Sequence, residues 1–239
     1  MRHIAIILAG GIGSRVGGTM PKQLLPLQDG RSVLEHSVDA FEQAPCIDEI
    51  AIVMHPDWMD EAKRICENNA WQKVRRIIPG GNERWESSWH AILAYTDDQR
   101  PSTNDHRPIS LWFHDAARPF VSQRILSDIA EALETHEAVT VAVPVTDTLY
   151  RVKSEERRVE SIPSRSEFMR AQTPQAFHYE LAFNAYVKAI ADDELVATDD
   201  AGIVRKYEPT HKIHIVLGEE ANKKITYKED LGGNDGMME

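Results

Sequence analysis

Short apolar runs alternate with longer stretches whose apolar residues recur at helical spacing. Residues 4–8 (IAIIL), Glu49–Met54, 74–78, 109–114 and 138–145 predict strands, the last apolar on both faces. Between the first two, Ser32 precedes Val33, Leu34, Ser37, Val38 and Phe41, which fall on one helical face. Glu35 stands three residues after Ser32, which predicts a capping box at the helix start. Residues 57–69 and 83–95 predict further helices, and Ser122 starts another that runs to about 136. Near-continuous apolar strands separated by helices predict an α/β fold, with a mostly parallel sheet covered on both sides.

The rhythm then breaks. Residues 147–171 run polar and strand-like, with a charged turn over 154–158. They predict a hairpin arm that leaves the sheet. Such a hairpin is marginal on its own, so it is expected to pack on a second copy of the chain. After Thr173-Pro174-Gln175, the sequence predicts a helix over 179–191, another from Thr198-Asp199-Asp200, and a last strand over 211–216. A single domain over 1–231 is expected, with 232–239 a disordered tail.

Composition narrows the function classes. With 42% hydrophobic residues among 239, a real core is expected. The net charge of −11 argues against nucleic acid as a partner, so phosphate-binding cations must be clustered locally. No apolar run approaches a membrane span, and the start lacks a charged segment leading into an apolar one. Cys46 and Cys66 have neither metal-ligand spacing nor the density of a disulfide scaffold. A cytoplasmic setting is the simplest expectation.

Candidate chemistry concentrates in loops. The first strand empties into Ala9-Gly10-Gly11-Ile12-Gly13-Ser14-Arg15, followed by Pro21-Lys22-Gln23. A glycine-rich turn after a strand lets backbone N–H groups close around phosphates, and Arg15 and Lys22 can neutralise the remaining charge. Val16 stands where a dinucleotide fingerprint needs its third glycine, and no Gly-Lys-Ser/Thr occurs for a Walker motif. A plain structural turn is the alternative. Gly80-Gly81-Asn82-Glu83-Arg84 with Ser87 joins a strand end to a helix start. It is either an ordinary capped turn or a cradle offering Asn82 and Ser87 to a base edge.

His114-Asp115-Ala116-Ala117-Arg118-Pro119 follows a buried strand. Asp115 is a natural Mg²⁺ ligand, with phosphate and water completing the shell. Arg118 could hold Asp115 in a structural pair, or a substrate phosphate. His114 reads as a packed or capping residue. Arg165, Arg170 and Thr173 could form a monophosphate site or be solvated surface charge. Lys223-Lys224 could reach a phosphate or lie in solvent. No Ser-His-Asp or Cys-His arrangement is arguable from spacing.

Taken in order, these blocks resemble the cytidylyltransferases that act on 2-C-methyl-D-erythritol 4-phosphate and, in a sister branch, ribitol 5-phosphate. Pro144-Val145-Thr146-Asp147-Thr148 and Asn222-Lys223-Lys224-Ile225-Thr226 add to the match, which extends to about Leu231. The resemblance implies a Rossmann-like nucleotidyltransferase sheet and a homodimer joined by the hairpin arm. It implies a CTP-dependent reaction with Mg²⁺, giving a CDP-polyol and pyrophosphate. For the erythritol branch the setting is non-mevalonate isoprenoid biosynthesis; for the ribitol branch it is CDP-ribitol for cell-surface polymers. A nucleotide-sugar pyrophosphorylase is a more remote alternative.

The resemblance also implies roles. Arg15, Lys22 and Lys224 would act on the triphosphate. Ala9, Gly10, Gly11, Gly13, Gly81, Asn82 and Ser87 would bind the nucleotide. Asp115 would hold the metal. Arg118, Thr148, Arg165, Thr173 and Thr198 would bind the second substrate, with Thr148 and Arg165 reaching a neighbour's site. Asn82 departs from the erythritol branch, which commonly has aspartate there, and the Ile162-Pro163-Ser164-Arg165, Ala171-Gln172-Thr173-Pro174-Gln175 and Thr198-Asp199-Asp200 stretches look more like the ribitol branch; methylerythritol phosphate is the expected acceptor, with ribitol 5-phosphate the alternative.

Overall fold

In a computed structural model, residues 1–11, 20–99, 107–153 and 157–231 are described. The expected tail lies outside them. Strand β1 (Arg2–Ala9) is followed by helix α1 (Val33–Glu42), β2 (Glu49–Met54), α2 (Met59–Asn69), β3 (Val74–Pro79) and α3 (Arg84–Ala94). Then come β4 (Ile109–Asp115), α4 (Gln123–Ala132) and β5 (Ala138–Pro144). A hairpin of β6 (Arg151–Lys153) and β7 (Arg158–Ser161) precedes β8 (Met169–His178), α5 (Tyr179–Ile190), α6 (Asp200–Tyr207) and β9 (His214–Leu217).

The main sheet has seven strands in the order β3-β2-β1-β4-β8-β5-β9. All neighbours pair in parallel except β8, which runs antiparallel to both β4 and β5. The mostly parallel expectation therefore holds, with one reversed strand inserted. That strand is not predicted from the sequence, and its first residues, Met169–Ala171 in the chain order, correct the arm boundary: the main sheet resumes before 171. Its centre carries buried Gln172, Thr173 and Gln175, so no apolar run or alternation announces it.

Alternation along β1 divides the core. Ala5, Ile7 and Ala9 join the cluster containing Leu34, Val38 and Phe41 of α1 and Ile125 and Ile129 of α4. Ile4, Ile6 and Leu8 join the opposite cluster, with Ala91 and Ile92 of α3, Tyr186 of α5 and Ile203 of α6. Each fully buried Ile contributes about 1.5–3 kcal/mol, so the two faces lock β1 inside the sheet. The capping box is present: Ser32 Oγ accepts from Glu35 N–H, and Glu35 accepts from Ser32 N–H at 2.8 Å. Helix α4 stops at Ala132, earlier than 136, and β9 begins later than 211.

Parallel β1, β3 and β4 deliver their carboxyl ends to one edge of the sheet. Reversed β8 brings Thr173 to the same edge, because Phe113 pairs with Gln175. After β9 the chain returns across this edge, and Ile225 N–H donates to Ala117 O at 2.8 Å. The hairpin forms a separate two-stranded sheet whose residues are all exposed.

Candidate functional site

Two turns make the walls of a cleft of about 890 Å³ at the carboxyl edge. Gly10 and Gly11 follow β1; Gly80, Gly81 and Asn82 follow β3. Both turns need small residues. A Cβ on Gly10 or on Gly80 would lie 3.2 or 3.1 Å from Ser87 Oγ, and a Cβ on Gly81 would collide with Glu86. Ser87 Oγ also accepts from Gly81 N–H at 3.1 Å. Glu86 accepts from Asn82 N–H at 2.6 Å and Glu83 N–H at 3.1 Å, pinning the turn to the first turn of α3. Lys22 and Gln23, on a short 3-10 turn (Lys22–Leu24), close the cleft from the other side. Lys22 Nζ donates to Ile225 O at 2.7 Å, tying that turn to the returning C-terminal segment.

A smaller cavity of about 240 Å³ adjoins it, lined by Arg118, Thr173, Gln175, Thr198 and Asp199 among others. The two share Arg84, Asp115 and Lys224. The site is therefore one cleft with two lobes, and a chain of charges forms the seam. Lys224 Nζ donates to Asp115 Oδ2 at 2.8 Å, and Arg84 Nε donates to Asp115 Oδ1 at 3.1 Å. Arg84 Nη1 pairs with Asp200 Oδ2 at 2.7 Å. Asp200 is fully buried and accepts from Tyr186 OH at 2.6 Å. Burial alone would push the Asp115 carboxyl up; Arg84 and Lys224, then Arg118, hold it well below the usual carboxylate range. Burial likewise opposes the Arg84 charge, but Asp200 and Asp115 raise its pKa overall.

The backbone of Asp115 is fixed by a second chain. Asp115 N–H donates to Thr173 Oγ1 at 3.1 Å, and Thr173 Oγ1 lies 3.1 Å from His114 Nδ1. His114 Nε2 faces Arg118 O at 2.9 Å. A carbonyl only accepts, so Nε2 carries the proton and Thr173 OH donates to Nδ1. Burial, as the main cause, lowers His114 to about 4 and keeps it neutral. This bears out the packed reading of His114.

The sequence-based site residues fare differently. Gly10, Gly11, Lys22, Gly81, Asn82, Ser87, Asp115 and Lys224 meet in the larger lobe, and Arg118, Thr173 and Thr198 in the smaller. Ala9 is fully buried at the end of β1 beneath Gly10. Arg118 is not the main holder of Asp115: its Nη1 and Nη2 donate to Asn222 O at 2.8 Å and Ala171 O at 3.3 Å. Thr173 spends its hydroxyl proton on His114, so it shapes the floor more than it offers a donor. Thr148 and Arg165 line neither lobe; Arg165 Nη1 donates to Thr146 O at 2.6 Å within the arm. Arg15 and Gly13 lie outside the described residues.

Sequence reasoning assigned no role to Arg84 or Asp200, although both stand in quoted motifs. Their signal was charge at helix starts, which usually reads as capping. Asn222 was also missed: it is fully buried and donates to Gln172 Oε1 at 3.2 Å and Thr173 O at 2.9 Å.

Comparison with known proteins bears on this geometry. The family model for 2-C-methyl-D-erythritol 4-phosphate cytidylyltransferase, IspD, matches residues 3–239. A 2-C-methyl-D-erythritol 4-phosphate cytidylyltransferase of Thermobifida fusca is 41% identical over 99% of this chain and 93% of its own length. The Haemophilus influenzae bifunctional ribulose 5-phosphate reductase/CDP-ribitol pyrophosphorylase Bcs1 is 36% identical over 96% of this chain, which spans 47% of that protein. Among solved structures, the 4-diphosphocytidyl-2C-methyl-D-erythritol synthase of Anaerococcus prevotii superposes with a TM-score of 0.79. It is 29% identical and covers 96% of this chain and 92% of its own. A two-lobed cleft at the carboxyl edge of a Rossmann-like sheet, and matches of this length, make the chain a member of the 2-C-methyl-D-erythritol 4-phosphate cytidylyltransferase family, IspD.

Proposed function

We propose that the chain transfers CMP from CTP to 2-C-methyl-D-erythritol 4-phosphate, releasing pyrophosphate and forming 4-diphosphocytidyl-2C-methyl-D-erythritol. The observation that carries this is the pair of lobes meeting at Asp115, Arg84 and Lys224. The larger lobe is the nucleotide side. Gly81, Asn82 and Ser87, with Ala9 and Gly10, surround cytosine and ribose; Gly11 and Gly13 offer backbone to the phosphates. The smaller lobe takes the polyol phosphate, with Arg118, Thr173 and Thr198 beside it.

A phosphate monoester with a second pKa of about 6 is already a dianion near neutral pH. Its oxygen bonds to the α-phosphorus while the α–β P–O bond breaks, and the electron pair leaves with pyrophosphate. No side-chain base is needed. The protein's work is alignment and charge neutralisation. Arg15 and Lys22 stabilise the leaving pyrophosphate, and Lys224 the α-phosphoryl oxygens. Asp115 is one carboxylate, and no cluster of three or more His, Cys, Asp or Glu occurs among the described residues. That donor set fits Mg²⁺ taking its other ligands from phosphates and water. When bound, the ion supplies charge neutralisation on the triphosphate.

The arm supports a homodimer. Tyr150, Val152, Val159 and Ile162 are each more than half exposed. Apolar surface of that kind on a protruding hairpin calls for a second copy. Thr148 and Arg165 then serve the neighbour's polyol phosphate. The catalytic unit is one domain over 1–231, with the arm inside it. Two free cysteines support a cytoplasmic setting.

A second reading, ribitol 5-phosphate as acceptor, is favoured by the likeness to Bcs1. Pyrophosphate release with CTP and each polyol phosphate in turn tests both. The higher kcat/KM is expected with methylerythritol phosphate; a preference for ribitol 5-phosphate selects the second reading. Activity with UTP or GTP and a sugar phosphate, but not with CTP, overturns both.

A further inference from the structure

We infer that Asp200 is a positioning residue: it holds Arg84 away from a two-pronged grip on Asp115, and so keeps one Asp115 oxygen exchangeable. This rests on Asp115 holding the metal of the CTP complex. A guanidinium readily takes both oxygens of one carboxylate in a fork. Here the fork is split. Arg84 sends Nε to Asp115 Oδ1 and Nη1 to the fully buried Asp200, while its Nη2 is buried without a hydrogen-bond partner.

Asp115 Oδ2 is left to Lys224, the most exposed of these four linked charged side chains, with 43% of its side chain accessible. A long, exposed lysine can move to a phosphate; Arg84, anchored from below, cannot follow it. The two oxygens of Asp115 therefore differ. Oδ1 is a fixed anchor, and Oδ2 changes partners when the triphosphate arrives. With Asp200 neutral, no charge holds Nη1, and the guanidinium can turn both prongs onto the ionised Asp115 and occupy Oδ2.

The quantity to measure is the gain in CTP affinity that Mn²⁺ confers: binding by calorimetry with Mn²⁺ against binding in chelator, with no acceptor present. Asp200→Asn is expected to cut that gain by about 10–100-fold, the usual cost of losing a group that orients a metal-binding carboxylate. Metal-free CTP binding is expected to stay within threefold or so. Arg84→Lys keeps the charge but has no fork with which to cover Oδ2, so Asp200→Asn/Arg84→Lys is expected to recover the gain that Asp200→Asn loses. Tyr186→Phe disturbs the same buried pocket by removing the other Asp200 contact, and is expected to spare it.

If Asp115→Asn loses the gain while folded Asp200→Asn keeps it, or if Asp200→Asn/Arg84→Lys loses it as Asp200→Asn does, the positioning role is overturned. It is also overturned if Tyr186→Phe loses as much as Asp200→Asn. If Asp115→Asn itself keeps the gain, the reading of Asp115 as the metal residue fails instead. Should Asp200→Asn not fold, Asp200→Ser is measured in its place, with the same outcomes deciding.

Discussion

The carboxylate at position 115 is held by its neighbours in two ways, through its side chain by Arg84 and Lys224 and through its backbone by Thr173 and His114. The cations beside it have distinct tasks. Lys22 sits on the nucleotide side, hydrogen-bonded to Ile225 O. Lys22→Ala is expected to lower kcat by at least ~10²-fold, the scale of losing a donor that acts on developing charge. Steady-state kinetics at saturating CTP decide it, and wild-type turnover would remove Lys22 from the mechanism. His114 gives a different, pH-dependent outcome. Its usual value is 6.5, and burial lowers it to about 4 in the folded protein. Between those values the unfolded chain binds more protons, so stability falls as pH drops through the window and is complete above it. Denaturation midpoints at about pH 7 and about pH 5 should therefore differ, and His114→Gln should shrink the difference. His3, lowered to about 4 mainly by burial, contributes equally to both proteins and cancels. Identical slopes in the two would mean His114 is not held neutral.

At the scale of elements, the strands β1 to β5 and the helices between them were legible because each has one job. Continuous Ile and Val make a strand buried on two faces, and Ser32 with Glu35 marks a helix start that the structure reproduces. Ser32→Ala should cost about 1 kcal/mol and lower the thermal midpoint by about 2–4 °C in a chain of this size. Scanning calorimetry reads it; an unchanged midpoint would mean the box contributes nothing. The reversed β8 was not legible because its residues have two jobs. Gln172 and Gln175 pair backbone within the sheet, with Thr173 at the irregularity between them, while the three side chains bond to Asn222, His114 and Asp199 at its edge. A strand that spends its side chains on a polar site loses the pattern that marks strands. The same reason hid Arg84 and Asp200. Buried charges are rare, and nothing in one sequence says that two helix starts, 116 positions apart by their numbers 84 and 200, will face each other. The glycine turns were legible because close backbone approach leaves little choice of residue there.

For the whole molecule, the proposed exchange of arms would set how many chains make one site. Thr148 and Arg165 line neither lobe of their own chain, yet the family resemblance gives both a substrate role. A symmetric pair exchanging arms reconciles these facts, because each site then draws its body from one copy and its arm from the other. Asp115→Asn and Arg165→Ala would each impair every site in their own homodimers. In a mixed dimer, one site collects both changes and the other collects neither. Random pairing of the two variants should thus restore about a quarter of wild-type activity. Co-expression with two different affinity tags, followed by tandem purification and the pyrophosphate assay, isolates the mixed species. It should carry about half the wild-type activity, with one intact site of two. Were the arm to fold back on its own body, each half of the mixed dimer would keep its own defect. The isolated species would then be as impaired as its parents, and the exchange of arms would be refuted.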